Sequence, residues 1–294
     1  MLSVPVVYAV VVLIWGSTWY AIKLQLGVVP EELSVAYRFA IAGLCLLAVS
    51  RFSSGRGSIS RSDYPMVVLQ GLLMFSISYM LVYIGSRYIT TGLVAVLYSL
   101  IIVFNGIFEW LFYRRVFDRL LIGAAVAGLG GTALVFWQEV SKLSLDDVGL
   151  KGIAWTVGSI IAASLGNMAA IRNTARNIPI VLINAHGMLW GAGLSFVVAL
   201  LLGRPIVVST TWAYAGSLFY LAIVGSCIAF GGFMLLIKNI GASRASYVSI
   251  LFPVVALGIS TVLEDYRWTV SATVGVALIL AGNWLALNRR PTQK

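Results

Sequence analysis

Aromatic and small polar residues recur at helical spacing inside the long apolar runs of this chain, and that combination suits holding a solute. Tyr79 and Tyr83 are four residues apart and share one face of a helix. Thr91, Tyr98, Asn105 and Glu109 form one polar stripe, and Ser246, Ser249 and Pro253 form another. Ser164 with Asn167, and Trp15 with Trp19, add two more faces. Tyrosine and tryptophan give broad apolar faces with a polar tip, and their rings can also attract an ammonium group. The expected solute-binding set is Trp15, Tyr79, Tyr83, Tyr98, Asn167, His186 and Ser249. Against this stands ordinary packing, since aromatic pairs also build interfacial belts and buried hydroxyls also join helices. Trp137, Trp212, Trp268 and Trp284 fall near run ends and read as belt residues.

Charged groups inside apolar runs are costly and therefore informative. Arg38 either meets a solute or pairs with Glu31 or Glu32. Glu109 is placed to pair with Arg114 or Arg115. His186 either bonds a neighbouring helix or lines a cavity and senses protons. Catalysis would need a nucleophile with a base, or clustered metal ligands, and the sequence has no such pattern. One histidine cannot build a histidine metal cluster. Cys45 and Cys227 lie in apolar runs and read as small hydrophobes. The chain is therefore expected to be no enzyme, with no catalytic residue, metal or cofactor. Few acidic groups at midplane depth suggest transport without ion coupling.

The elements that must position these residues follow from composition. The chain has 294 residues, 60% hydrophobic and 10% charged, against about 25% charged in soluble domains. Such a chain belongs in lipid, where backbone groups must bond internally and long runs form helices. Ten runs are long enough to cross: roughly 4–23, 33–50, 65–84, 90–113, 119–137, 149–171, 179–202, 212–236, 242–263 and 268–287. The first is too long for a signal peptide and lacks a charged leader. The net charge of +10 is spread over short loops, so no nucleic-acid partner is expected. With the N-terminus inside, 13 basic residues fall in cytoplasmic segments and 6 in external ones. That asymmetry places both termini in the cytoplasm.

The pattern also repeats. Lys23 and Arg172, and Pro30 and Pro179, are each 149 positions apart. Gly123 and Gly275, and Gly130 and Gly282, are each 152 apart. An odd number of spans per copy forces opposite orientations, a plan of secondary transporters with a site near the midplane. The expected fold is an all-α polytopic membrane protein of ten transmembrane helices, two inverted five-helix repeats around a central cavity. The first repeat covers 1–138, a linker 139–148, the second repeat 149–288 and a cytoplasmic tail 289–294. Small residues at Gly123, Ala127 and Gly131, and at Gly187, Gly191 and Ser195, suggest close helix contacts.

The chain resembles the drug/metabolite transporter superfamily in its EamA-type branch. The resemblance rests on Leu13-Ile14-Trp15-Gly16-Ser17-Thr18, the Gly123–Gly131 stretch, Ala245 through Pro253, the pair Glu264-Asp265, and Gly275–Gly282. Within the branch it is most similar to bacterial aromatic amino-acid exporters of the YddG type, through Ser78-Tyr79 and Leu97-Tyr98. It departs from them at Ile101, Ser164 and Asn167. The resemblance implies a bacterial inner-membrane protein that exports small metabolites such as amino acids, with lipid around it, as a monomer or weak homodimer. Two alternatives stand beside this. One is a nucleotide-sugar or sugar-phosphate exchanger, which would need several basic cavity residues. The other is a membrane sensor or scaffold that transports nothing.

Overall fold

Polar punctuation cuts the apolar sequence into helices. The computed structural model describes residues 3–52, 58–89, 91–114, 119–141, 147–263 and 268–287. Among the described residues, ten main helical elements and one short helix follow in chain order. These are α1 Val4–Lys23, α2 Glu31–Phe52, α3 Tyr64–Gly85, α4 in two pieces (Thr91–Tyr98 and Ile101–Tyr113), and α5 Arg119–Val135. After a short Trp137–Ser141 helix come α6 Asp147–Ala175, α7 Ile180–Leu201 and α8 Trp212–Ile240. The last two are α9, in two pieces (Ala242–Ala245 and Val248–Leu263), and α10 Val270–Leu287. Among the described residues no strand occurs. Among the described residues, eight helical stretches are long and apolar enough to cross a membrane, and Ile122–Val135 and Val270–Leu285 are shorter apolar stretches.

Helix starts and stops follow local chemistry. Proline stands in the first turn of α1 and of α3, where its missing N–H costs nothing. Pro179 caps the start of α7. Gly241, at φ 83°, ends α8 in a backbone region open to glycine. Helix α6 runs four residues past the apolar stretch because its polar end is bonded. Asn173 Nδ2 donates to Gln70 Oε1 at 2.9 Å and to the Met66 carbonyl at 3.2 Å, both on α3.

Four helices are irregular inside the bundle. Helix α3 passes through a π-helical stretch at Leu73–Ile77, and α8 through one at Ile223–Ile228. Helix α4 breaks at Ser99–Leu100 and α9 at Ser246–Tyr247. Non-helical backbone at this depth is tolerated only when it is buried in protein or lines a cavity. Pro253 sits inside α9, where it removes one ladder hydrogen bond.

Helix α2 lies along α7, and α5 along α10. Helix α1 packs on α8 and α9, while α6 packs on α3 and α4. Helix α3 also meets α7, and α8 meets α2. Small residues permit the closest crossings. A Cβ at Gly131 would stand 2.7 Å from the Gly275 carbonyl, and one at Gly282 2.8 Å from the Ala124 carbonyl. Of the glycines of the repeated pattern, Gly275 and Gly282 pack on α5, while Gly123 and Gly130 face open space. On α7, Gly187 and Gly191 sit against Gly71 and Phe75, and the Ser195 hydroxyl bonds Ser76 at 2.7 Å. The pair Glu264–Asp265, residues 142–146 of the linker and the C-terminal tail lie outside the described residues.

Candidate functional site

Where the irregular helices meet, side chains leave a cavity of about 120 Å³. One water fills roughly 10–15 Å³ by that measure, so the space takes several waters or one small solute. Its wall is mostly apolar and includes six aromatic side chains, with Phe39 and Phe75 packed behind them. The Trp15 ring lies 4.8 Å from Phe230 and 5.0 Å from Phe233, with Phe252 at 5.9 Å. Tyr79 meets Phe39 edge-on at 4.9 Å. Phe75 meets Phe39 at 5.2 Å and Phe230 at 4.8 Å.

The π-helical stretch of α8 orients the polar side of this wall. Such stretches shift the backbone register and free carbonyls for other partners. Trp15 Nε1 donates to the Gly225 carbonyl at 3.0 Å, which fixes the indole. Ser226 donates to the Leu221 carbonyl at 2.8 Å and accepts from Arg38 Nε at 2.9 Å. Gly225 makes room for this arrangement, since a Cβ there would stand 3.4 Å from Arg38 Nη2.

Two hydroxyl and amide networks tie the wall together. The Tyr98 hydroxyl pairs with Ser78 at 3.0 Å and with Ser159 at 3.2 Å, linking α3, α4 and α6. Asn105 Nδ2 donates to the Ser246 hydroxyl, and Asn105 Oδ1 accepts from Ser164 and from Asn167 Nδ2. Because Asn105 Oδ1 can only accept, Asn167 must turn its amino group toward it. Asn167 Oδ1 is left buried and without a partner on a residue that lines the cavity.

Of the seven expected solute-binding residues, Trp15, Tyr79, Tyr98, Asn167 and Ser249 line the cavity. The other two do not, and the geometry gives the reason. Tyr83 is one turn along α3, buried, with its hydroxyl 3.5 Å from Gln25 Oε1. His186 is on the far side of α7, where its Nδ1 lies 3.3 Å from the Tyr64 hydroxyl. That hydroxyl also accepts from Trp190 Nε1 at 3.1 Å, and Trp190 is exposed. His186 therefore takes part in a peripheral cluster. The Trp19 and Thr91 side chains lie outside the described residues. Sequence spacing missed Thr18, Phe230, Phe233 and Phe252, which also line the cavity. Phe230 and Phe233 follow the α8 stretch at one-turn spacing, but phenylalanine in an apolar run carries no distinguishing signal.

Glu109 does not sit at the cavity; its carboxylate accepts from the Ser243 backbone N–H at 2.7 Å, at the start of α9. Ion pairs occur at both ends of the bundle. At one end Arg87 pairs with Glu31, and Arg204 Nη2 lies 3.3 Å from Glu32 Oε1. At the other, Asp63 accepts from Ser60 at 2.8 Å and from Arg172 Nη2 at 2.9 Å. The Ser60 hydrogen bond, with Arg172 and Arg176 behind it, holds the Asp63 carboxyl below its ordinary value. That contact is therefore complete at neutral pH and weakens only as acid protonates Asp63. Cys45 and Cys227 are free and half-buried. Among the described residues no group of three or more metal-ligating side chains occurs.

A model described as the EamA-like transporter family matches this chain twice, over residues 4–137 and 150–288. The chain is 24% identical over 286 residues to the uncharacterized transporter YoaV of Bacillus subtilis, covering 95% of this chain and 96% of that one. It is 24% identical over 282 residues to the uncharacterized inner membrane transporter YedA of Escherichia coli, covering 91% and 87%. An uncharacterized transporter of Archaeoglobus fulgidus is 26% identical over 289 residues, covering 97% and 99%. A crystal structure, titled only as that of a protein, superposes with a TM-score of 0.82 at 19% identity, covering 97% of this chain and 96% of that one.

Proposed function

The chain belongs to the EamA-like transporter family and is a multi-pass membrane transporter, and from that premise we propose that it exports small amphipathic metabolites, amino acids foremost. The solute occupies the aromatic cavity and crosses by alternating access. The observation that carries this reading is the cavity itself, walled by Trp15, Tyr79, Phe230, Phe233 and Phe252 and holding, among the described residues, a single charged one, Arg38. Rings of this kind take the apolar body of a solute. One guanidinium does not match the several negative charges of a nucleotide sugar, which disfavours the exchanger reading.

Two inverted repeats, 1–138 and 149–288, belong to the same proposal. Exchanging α1–α5 with α6–α10 maps α1 on α8 and α9 into α6 on α3 and α4, and α3 on α7 into α8 on α2. It also exchanges the two π-helical stretches and the two broken helices. A double match to one family model fits the repeat as well. Rocking of the halves about the central site then exposes it to each side in turn. The chain sits in a bacterial inner membrane with both termini cytoplasmic, as the basic-loop asymmetry supports.

The test is counterflow of labelled phenylalanine, tryptophan and small neutral amino acids into vesicles containing the purified chain. The wild-type chain should accumulate label against unlabelled solute. Tyr79→Ala, which removes the Phe39 edge contact, should cut the rate about tenfold, since aromatic pairs contribute about 0.5–1.5 kcal/mol each. Label entry no faster than in empty vesicles for every amino acid tried would sink the reading.

A further inference from the structure

Arg38 is the residue whose surroundings demand something the protein does not supply. It is 1% exposed and lines the cavity. It lies seven residues into α2, about 10 Å from the helix start at 1.5 Å per residue. The two acids of the first turn of α2 are taken by other arginines, Glu31 by Arg87 and Glu32 by Arg204. Arg38 itself donates to the Ser226 hydroxyl, and its guanidinium carbon lies 5.1 Å from the Phe39 ring centre and 4.9 Å from that of Tyr79. Among the described residues it has no carboxylate partner, and its Nη1 is buried with no hydrogen bond. A guanidinium keeps its charge where a lysine would lose it, and a buried charge without a counter-charge is costly. A fork of donors held this way matches a carboxylate.

We propose that Arg38 is the anion subsite of the cavity, so that the transported solute presents one carboxylate to its guanidinium and lays its apolar body on the rings of Trp15, Tyr79 and Phe230. This rests on the reading of the cavity as the transport site. Thr18 and Ser226 flank the subsite, and the gap at Gly225 lets the guanidinium lie against α8. A single unmatched positive charge selects monoanionic and zwitterionic solutes. It excludes amides, amines and solutes with several negative charges.

Three probes separate the parts of this assignment: phenylalanine, 3-phenylpropionate and phenylalaninamide. Each is titrated against the purified full-length chain in detergent, by tryptophan fluorescence and by melting temperature. Both carboxylates should bind the wild-type chain at least about tenfold more tightly than the amide, the scale of a charge-assisted hydrogen bond. Arg38→Gln should abolish that preference. Arg38→Lys removes the planar fork of donors, so carboxylate binding should fall at least roughly tenfold with amide binding unchanged; this variant decides the matter if Arg38→Gln does not fold. Equal binding of amide and carboxylate to the wild-type chain, or Arg38 variants that bind all three probes as the wild type does, overturns the assignment. A chloride titration that mimics the carboxylate effect in full would mark a bound counter-ion and also overturn it. If the carboxylate preference is missing while Tyr79→Ala still weakens binding, only the role of Arg38 fails. If no probe binds the wild-type chain, the cavity reading fails and takes Arg38 with it.

Discussion

Asn105 joins three helices through one side chain. Its Oδ1 accepts from Ser164 and Asn167 on α6, and its Nδ2 donates to Ser246 at the break in α9. Leucine at this position would keep the volume and leave buried partners unmatched. Each orphaned group costs about 1–3 kcal/mol. Asn105→Leu should therefore lower the melting temperature of the purified chain, whereas Tyr98→Phe should lower it less, because Ser159 still donates to the Ser78 carbonyl. Equal melting temperatures for wild type and Asn105→Leu would show that this network carries no stability. Asp63 shows how little ordinary pH reaches the bundle ends. Its carboxyl is held low by Ser60 and Arg172, so its contribution stands above about pH 4 and fades only below that.

Between helices, the smallest residues decide how close two backbones come. On α5, Gly131 faces the Gly275 carbonyl of α10, while its neighbour Gly130 faces open space. The pair supplies its own control. Gly131→Ala should destabilise the α5–α10 crossing, since the new Cβ would lie 2.7 Å from that carbonyl and overpacking costs about 1–3 kcal/mol. Gly130→Ala should be neutral or slightly stabilising, because alanine is the better helix former. Thermal unfolding of the two variants in the same detergent checks this, and matched losses would contradict the packing described. The π-helical stretches of α3 and α8 act at the same scale. The one in α3 seats Phe75 against Gly187 and Gly191, and the two aim Ser76 at Ser195 and Ser226 at Arg38.

Across the whole molecule, the charge distribution bears on energy coupling. Among the described residues the cavity lining contains Arg38 and no aspartate, glutamate or histidine. Proton relays in membranes run through such groups, and here Glu31, Glu32 and Asp63 sit in ion pairs at the bundle ends, while Glu109 sits against the start of α9. Solute flux in sealed vesicles is expected to follow the solute gradient alone. Uptake that requires an imposed proton or sodium gradient would contradict this. The arrangement of α1–α5 against α6–α10 likewise implies both chain ends on one side. Reporter tags at the two termini should be equally reachable from the cytoplasmic face, and tags reachable from opposite faces would exclude two inverted five-helix sets.

The sequence alone determined that this chain is helical and lies in lipid, because only helices satisfy the backbone in long apolar runs. It also marked the helix ends through Pro, Gly and charged residues, and it pointed to Trp15, Tyr79, Tyr98, Asn167 and Ser249 through their spacing. It could not say which face of a helix turns inward, since every face of a buried membrane helix is apolar. Tyr79 and Tyr83 share a face by spacing, yet only the first reaches the cavity. His186 looked central along its helix and is peripheral in space. The partners of Arg38 were undecidable from the chain, because the nearest acids in sequence are claimed by arginines 50 residues or more away. Packing between distant segments settled those pairings and left the Arg38 charge facing the cavity.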